Sequence, residues 1–203
     1  MAGKHTLEGK NAKIAVEMLQ KVTDILDKRD IEYWLEGGTL LGIIREDRLL
    51  PWDNDMDISL TEDYYDAILD AIDDIKELGY MVWSKEFEKD EPPFKKGVKR
   101  IIKIRNRKLY FIRGEVALDI FIKFEKDGEY FWQVSNKRKS VPSHFYNNLR
   151  EHRFKGKRYL IPKESEEYLT FRYGDWKIPI KEWDTSKDDN AVKGDMSITS
   201  PNP

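Results

Sequence analysis

The sequence predicts an α/β fold, a mixed β-sheet flanked by helices. Three observations point to it. A long amphipathic helix, a short strand and a second helix open the chain, the middle carries a succession of strand-like runs, and one more helix closes the patterned region. With 203 residues, 39% of them hydrophobic and 12% aromatic, the chain suits a single domain with a substantial core. That domain is expected over residues 1–183. From Asp184 the chain turns polar and aperiodic and ends in "SPNP", so 184–203 reads as a flexible tail.

Taken in order, residues 11–29 place Ile14, Ala15, Met18, Leu19, Val22, Ile25 and Leu26 on one helical stripe, with Lys28 and Arg29 suiting the C-terminal dipole. "IEYWLE" (31–36) reads as a short strand interrupted by Gly37-Gly38, and "TLLGIIRE" (39–46) as a helix begun by Thr39. "MDISL" (56–60) is the next strand. A helix follows from Thr61, its stripe formed by Tyr65, Ile68, Leu69, Ile72 and Ile75, with Gly79 as the residue after its end. Strands are expected at 80–84, 98–106, 114–124 and 129–135, the second and third forming a hairpin across 107–113. Residues 163–174 read as a last helix ended by Gly174, after which Trp176 docks on the core. The run Lys137-Arg138-Lys139 reads as a solvated basic stretch, with contact to an anionic glycan as the alternative, and no internal repeat is seen.

Composition excludes several classes. Thirty-six basic residues face 38 acidic ones, a net charge of -2, which argues against a nucleic-acid binder. There is no cysteine, hence no disulfide framework and no thiolate zinc site. His5, His144 and His152 lack metal-ligand spacing. No secretory h-region or bilayer-length apolar run is seen, and the expected compartment is the cytoplasm, with no transmembrane segment.

The chemistry concentrates in "WDNDMDISL" (52–60). Asp53, Asp55 and Asp57 are two apart and face one way in an extended chain, while Met56 and Ile58 face the other. Asp119 sits alone in "VALDIFI", an otherwise apolar strand. Two carboxylates ~5 Å apart repel by roughly 3 kcal/mol at an effective dielectric of about 20, so such a cluster must be solvated, protonated or neutralised by a cation. An all-oxygen cluster suits Mg²⁺ or Mn²⁺, which also accept phosphate oxygens. Upstream, Gly37-Gly38 at a helix start lets backbone N–H groups face an anion. A calcium loop fails, because its sixth position is Ile58 and its twelfth is Tyr64, and "GGTLLG" lacks the dinucleotide-binding spacing. The combination describes a site for metal-assisted phosphoryl chemistry. On strand 98–106, Lys103 and Arg105 would meet phosphates or the acids if that strand lies beside Asp119; a solvated basic face reads equally well.

"EGGTLLGIIREDRLLPWDNDMDISL" resembles the signature of the LicD/fukutin family within the nucleotidyltransferase-fold superfamily. Gly37-Gly38, Asp55/Asp57 and Asp119 match the superfamily's three parts. Gly38 to Gly42, Arg45 and Pro51-Trp52-Asp53 match the family's own, and residues 166–179 resemble its C-terminal segment. Where the family has a proline soon after the third acid, this chain has Ile122-Lys123. The resemblance implies a nucleotidyltransferase-type mixed sheet. It also implies transfer of a phospho-alcohol, such as phosphocholine or an alditol phosphate, from a CDP-linked donor to a saccharide or glycan hydroxyl, with release of CMP. On that reading Asp55 and Asp57 hold Mg²⁺, and Asp119 completes the metal shell or takes the acceptor's proton. Asp53 supplies or orients a further ligand, and Gly37, Gly38, Thr39 and Arg45, with Lys103 and Arg105, meet donor phosphates. Two alternatives stay open: transfer of NMP from an NTP with loss of pyrophosphate, and a catalytically silent fold member that binds a nucleotide or glycan.

Overall fold

The structure, a computed structural model, describes residues 6–109 and 111–196; His5 and the end of the expected tail, 197–203, lie outside them. Helix α1 (Lys10–Lys28) buries Ala15, Met18, Leu19, Val22, Thr23 and Leu26, the predicted stripe, and lies against the sheet at β5. Strand β1 (Trp34–Glu36) leads directly into α2 (Gly37–Glu46), and β2 (Met56–Thr61) follows a nine-residue connection, 47–55. The helix expected after Thr61 consists of a 3₁₀ turn, α3 (Tyr65–Asp70) and α4 (Ile72–Glu77). The ladder continues through Ala71, whose N–H donates to the Ala67 carbonyl and whose carbonyl accepts from Ile75. Gly79 ends it at φ 87°, a value that favours glycine.

The main sheet is built on β5 (Ile112–Lys126). Its first part lies between β2, which it pairs in parallel, and β4 (Lys99–Lys108), which it pairs antiparallel as the predicted hairpin. Beyond β2 is β1, antiparallel, and beyond β4 is β3 (Met81–Glu86). The last residues of β5 turn to β6 (Glu129–Val134), which pairs β7 (Lys137–Pro142). Ile102, Ile104, Leu118, Ile120 and Ile122 are fully buried on the helix-covered face. A short α5 (His144–Asn147), a separate hairpin of β8 (Leu149–Phe154) and β9 (Lys157–Pro162), and α6 (Ser165–Tyr173) complete the body. Gly174 ends α6 at φ 64°, and Trp176 is buried.

Two expectations are corrected. The polar stretch from Asp184 is not free through Met196. Asp189 and Ala191 are buried, and β10 (Val192–Asp195) adds to β7 as an edge strand. The run Lys137–Lys139 is not a solvated stretch but the start of β7, with Lys139 fully buried. Both misreadings have one cause. Segments that are polar in sequence are held by charge pairing across the fold, which leaves no apolar period to read.

Candidate active site

The site is assembled where β1, β2, β5 and β4 lie side by side. In the parallel register Asp57 stands opposite Asp119, and in the antiparallel one Asp119 stands opposite Lys103. Asp55, just before β2, joins them. One carboxylate oxygen each from Asp55, Asp57 and Asp119 falls within 4.8 Å of the others. Met56 and Ile58 anchor the intervening positions in the core at zero exposure, which is why the alternating pattern turns the acids outward together.

Glycine is required on the facing helix. Gly37 has φ 56°, and a Cβ there would lie 2.5 Å from Asp57 Oδ2; a Cβ on Gly38 would collide with the Asp53 carboxylate. The backbone of the α2 start therefore touches the acids. Gly42 allows the return of the connection, since a Cβ there would lie 2.6 Å from the Arg48 carbonyl. The Thr39 hydroxyl accepts from the Asp57 N–H at 2.8 Å, tying helix to strand.

The acids and the glycine turn open into a cavity of about 440 Å³. Its lining also includes Trp52, Trp132 and the segment after α6, with Trp176, Ile178, Ile180 and Trp183. Burial raises the pKa of every acid in the cluster. Asp53 is pushed up to about 6 by burial, against the Asn54 N–H that donates to it. Asp55 is pushed to about 7 by burial and then by Asp53 and Asp119. Asp57 is raised well above its usual range by burial and by Asp55 and Asp119, and Asp119 by burial, against the opposing pull of Lys103. Lys103 is paired with one oxygen of Asp119, while the other, Oδ1, is buried with no hydrogen-bond partner. An orphaned buried carboxylate oxygen, beside two more acids that burial pushes toward neutrality, fits an oxygen-liganded divalent cation.

The remaining predicted residues are placed unequally. Asp53 lines the cavity beside Gly38. Arg45 reaches its wall but is engaged by Glu46 at 2.7 Å and by the Trp176 carbonyl at 3.0 Å. Thr39 is buried with its hydroxyl committed to β2, and Arg105, whose charge acts on Asp119 and Asp55, does not line the cavity.

Sequence reasoning missed the support beneath the glycine turn. Glu36, opposite Asp57 in the β1–β2 register, caps α2 by accepting from the Gly37 N–H at 3.0 Å. It also takes the Tyr146 hydroxyl at 2.8 Å, the Tyr168 hydroxyl, Arg172 at 2.9 Å and Lys123 at 3.4 Å. Arg172 continues to Asp189 through two hydrogen bonds, 2.7 and 2.6 Å, and Asp189 takes Lys139 at 2.7 Å. Burial alone would raise Glu36, yet Lys123 and Arg172 hold it well below the usual carboxylate range. Asp189 is likewise lowered to about 2 by Arg172 and Lys139. One signal for this existed: Lys123 breaks the apolar run of β5 on the same face as Asp119, at the position where the family proline was missing.

Residues 30–164 match the family model described as LicD/FKTN/FKRP, nucleotidyltransferase domain. The chain belongs to this family. Among the relatives this chain matches, an uncharacterized protein of Rickettsia prowazekii, RP689, is 24% identical over 85% of this chain and 59% of its own. Ribitol-5-phosphate transferase FKTN of Homo sapiens is 27% identical over 85% of this chain and 35% of its own. Lipopolysaccharide cholinephosphotransferase LicD of Haemophilus influenzae is 33% identical over 29% of this chain and 22% of its own. The chain thus spans less than two thirds of the length of these relatives. Among the described residues no helix is long and apolar enough to cross a membrane.

Proposed function

We propose that this protein transfers a phospho-alcohol from a CDP-linked donor to a hydroxyl of a saccharide or glycan, releasing CMP. The observation that carries the reading is the convergence of Asp55, Asp57 and Asp119 against the Gly37-Gly38 turn in one cavity, in a chain of the LicD/FKTN/FKRP family. Relatives named as ribitol-phosphate and choline-phosphate transferases support the class of group moved.

A divalent cation, Mg²⁺ or Mn²⁺, held by Asp55, Asp57 and Asp119 would neutralise charge on the transferring phosphoryl group. The chain's own residues do the rest. Gly37 has its N–H committed to Glu36, so Gly38 and Thr39, next in the first turn of α2 and without intrahelical acceptors, offer theirs to the donor phosphates. Asp119 orients the acceptor hydroxyl or takes its proton, with Lys103 setting its charge. Asp53 holds the Asp55 loop by accepting from the Asn54 N–H. Trp52, Trp132, Trp176 and Trp183 give the cavity an aromatic lining. The acceptor oxygen attacks the distal phosphorus of the donor, that P–O bond forms as the bond to CMP breaks, and catalysis is positioning and charge neutralisation.

Incubation with a panel of CDP-alcohols and Mg²⁺, followed by CMP detection, tests this. CMP release from at least one donor, and no pyrophosphate from ATP or CTP, is expected. Acceptor-dependent pyrophosphate release would replace the reading by nucleotidyl transfer, and binding without turnover of any donor would replace it by a silent binding protein.

A further inference from the structure

Strand β4 carries one extra residue against β3. Lys85 pairs with Ile101 and Glu86 with Lys99, leaving Arg100 without a cross-strand partner. In a regular strand Arg100 would share the buried face of Ile102 and Ile104; the bulge turns it to the cavity instead, on the side of Lys103. Arg100 is only 9% exposed. Its Nη1 donates to the Gln133 carbonyl at 2.9 Å, its Nε is buried with no hydrogen-bond partner, and among the described residues no carboxylate forms an ion pair with it. Glu88 is the opposing charge that acts on it, without pairing. Lys85, exposed on the adjoining strand, lines the same wall and acts on Asp119 without pairing. A guanidinium N–H that is buried and left unmet by the protein is a place for a ligand acceptor atom.

Position decides which substrate it serves. Across the sheet the order is β1, β2, β5, β4, β3. The glycine turn leaves from β1, the acids stand on or beside β2 and β5, and Arg100 and Lys85 stand on β4 and β3. The two cations therefore flank the acids on the side away from the glycine turn. Arg100 is three residues along the strand from Lys103, about 8 Å by strand rise once the extra residue of the bulge is allowed for, enough for a sugar ring between an anion at Arg100 and a hydroxyl at Asp119.

We propose that Arg100 and Lys85 form an anion subsite for the acceptor, which carries a phosphate or carboxylate near its attacking hydroxyl. This rests on the reading of the glycine turn as the donor side. The test is direct binding to chelator-treated, dialysed protein, followed by calorimetry or NMR, with glucose 6-phosphate, glucuronate and glucose as probes and CDP as the donor-side control. Expected is saturable binding of an anionic sugar, with glucose much weaker. Arg100→Gln and Lys85→Gln should each weaken it about tenfold, the effect of a charge-assisted hydrogen bond, while CDP binding changes less than about twofold. Preference between the two anionic sugars identifies phosphate or carboxylate. Lys85 is exposed, so its variant reports even if Arg100→Gln folds poorly. Equal binding of glucose, or insensitivity to both variants, overturns the proposal; equal weakening of CDP moves Arg100 to the donor. Absence of CMP release from CDP-alcohols would defeat the functional reading and with it the acceptor role, while anion binding at Arg100 and Lys85 is decided separately by the two variants.

Discussion

Glu36 and Asp57 face one another across β1 and β2, yet their carboxyl groups behave oppositely. Glu36 belongs to a buried cluster in which two carboxylates meet Lys123, Arg172 and Lys139, and its pKa is held far down. Asp57 belongs to a cluster of acids answered by Lys103 at one oxygen of Asp119, and its pKa is driven up. Burial penalises both. The difference is whether the fold itself provides the counter-charge. The satisfied cluster is architecture: it caps α2 and fastens the segment carrying Asp189 to the body. The unsatisfied one has the character of a ligand site, and its missing counter-charge is the strongest indication of what it binds.

Breaking the satisfied side should have the largest effect. Asp189→Asn or Arg172→Met leaves an uncompensated buried charge, and an expected loss of about 3–5 kcal/mol would appear in urea denaturation. Truncation after Trp183 removes the same partner together with Ala191 and β10, and should destabilise comparably. A truncated chain that melts with the full-length protein would show that the network is dispensable.

The unsatisfied side should respond the other way. Asp57→Asn removes a repelling charge, so the metal-free variant should be at least as stable as the parent while turnover falls by more than ~100-fold, the upper end of what even indirect metal-site changes cost. Matched thermal melts and CMP assays read both quantities. A variant that loses stability would place Asp57 in the architecture.

The pH trend sharpens the contrast. Asp53 and Asp55 have folded pKa values raised to about 6 and about 7, so their contribution to stability is fully present below the ordinary carboxylate pKa and is lost as pH rises through 6 and 7. Glu36 and Asp189 are lowered, and their contribution is lost only as pH falls below the ordinary range. Between pH 4 and about 7, the urea midpoint in chelator should therefore decline, and saturating Mg²⁺ should flatten the decline. A midpoint that rises with pH in chelator would contradict this account of the acids.

The smallest effect belongs to charges that water already serves. Lys21 and Glu17, 2.6 Å apart on α1 and mostly exposed, should contribute about 0.5 kcal/mol or less, checked by the denaturation midpoint of Glu17→Gln.

Much of this molecule was legible in its order of residues, for a physical reason. Elements that bury one face write their period into the chain, and so α1, β2, the β4–β5 hairpin and α6 could be read with small errors at their ends. The acids that the structure gathers were legible because they interrupt apolar runs, and Gly37-Gly38 because a glycine pair marks a helix start; that the pair admits carboxylates against the backbone is seen only in the structure. What the tertiary structure alone decided is held by pairing between distant charges. Lys139 and Asp189 look like solvated residues until Arg172 is placed between them and Glu36. The polar stretch through Met196 looks free until β7 offers it an edge. Arg100 looks like a core-facing interruption until a bulge, visible only in the pairing of β3 with β4, turns it into the cavity. Periodicity is local and survives in one dimension; counter-charges that meet across 17 to 136 positions do not.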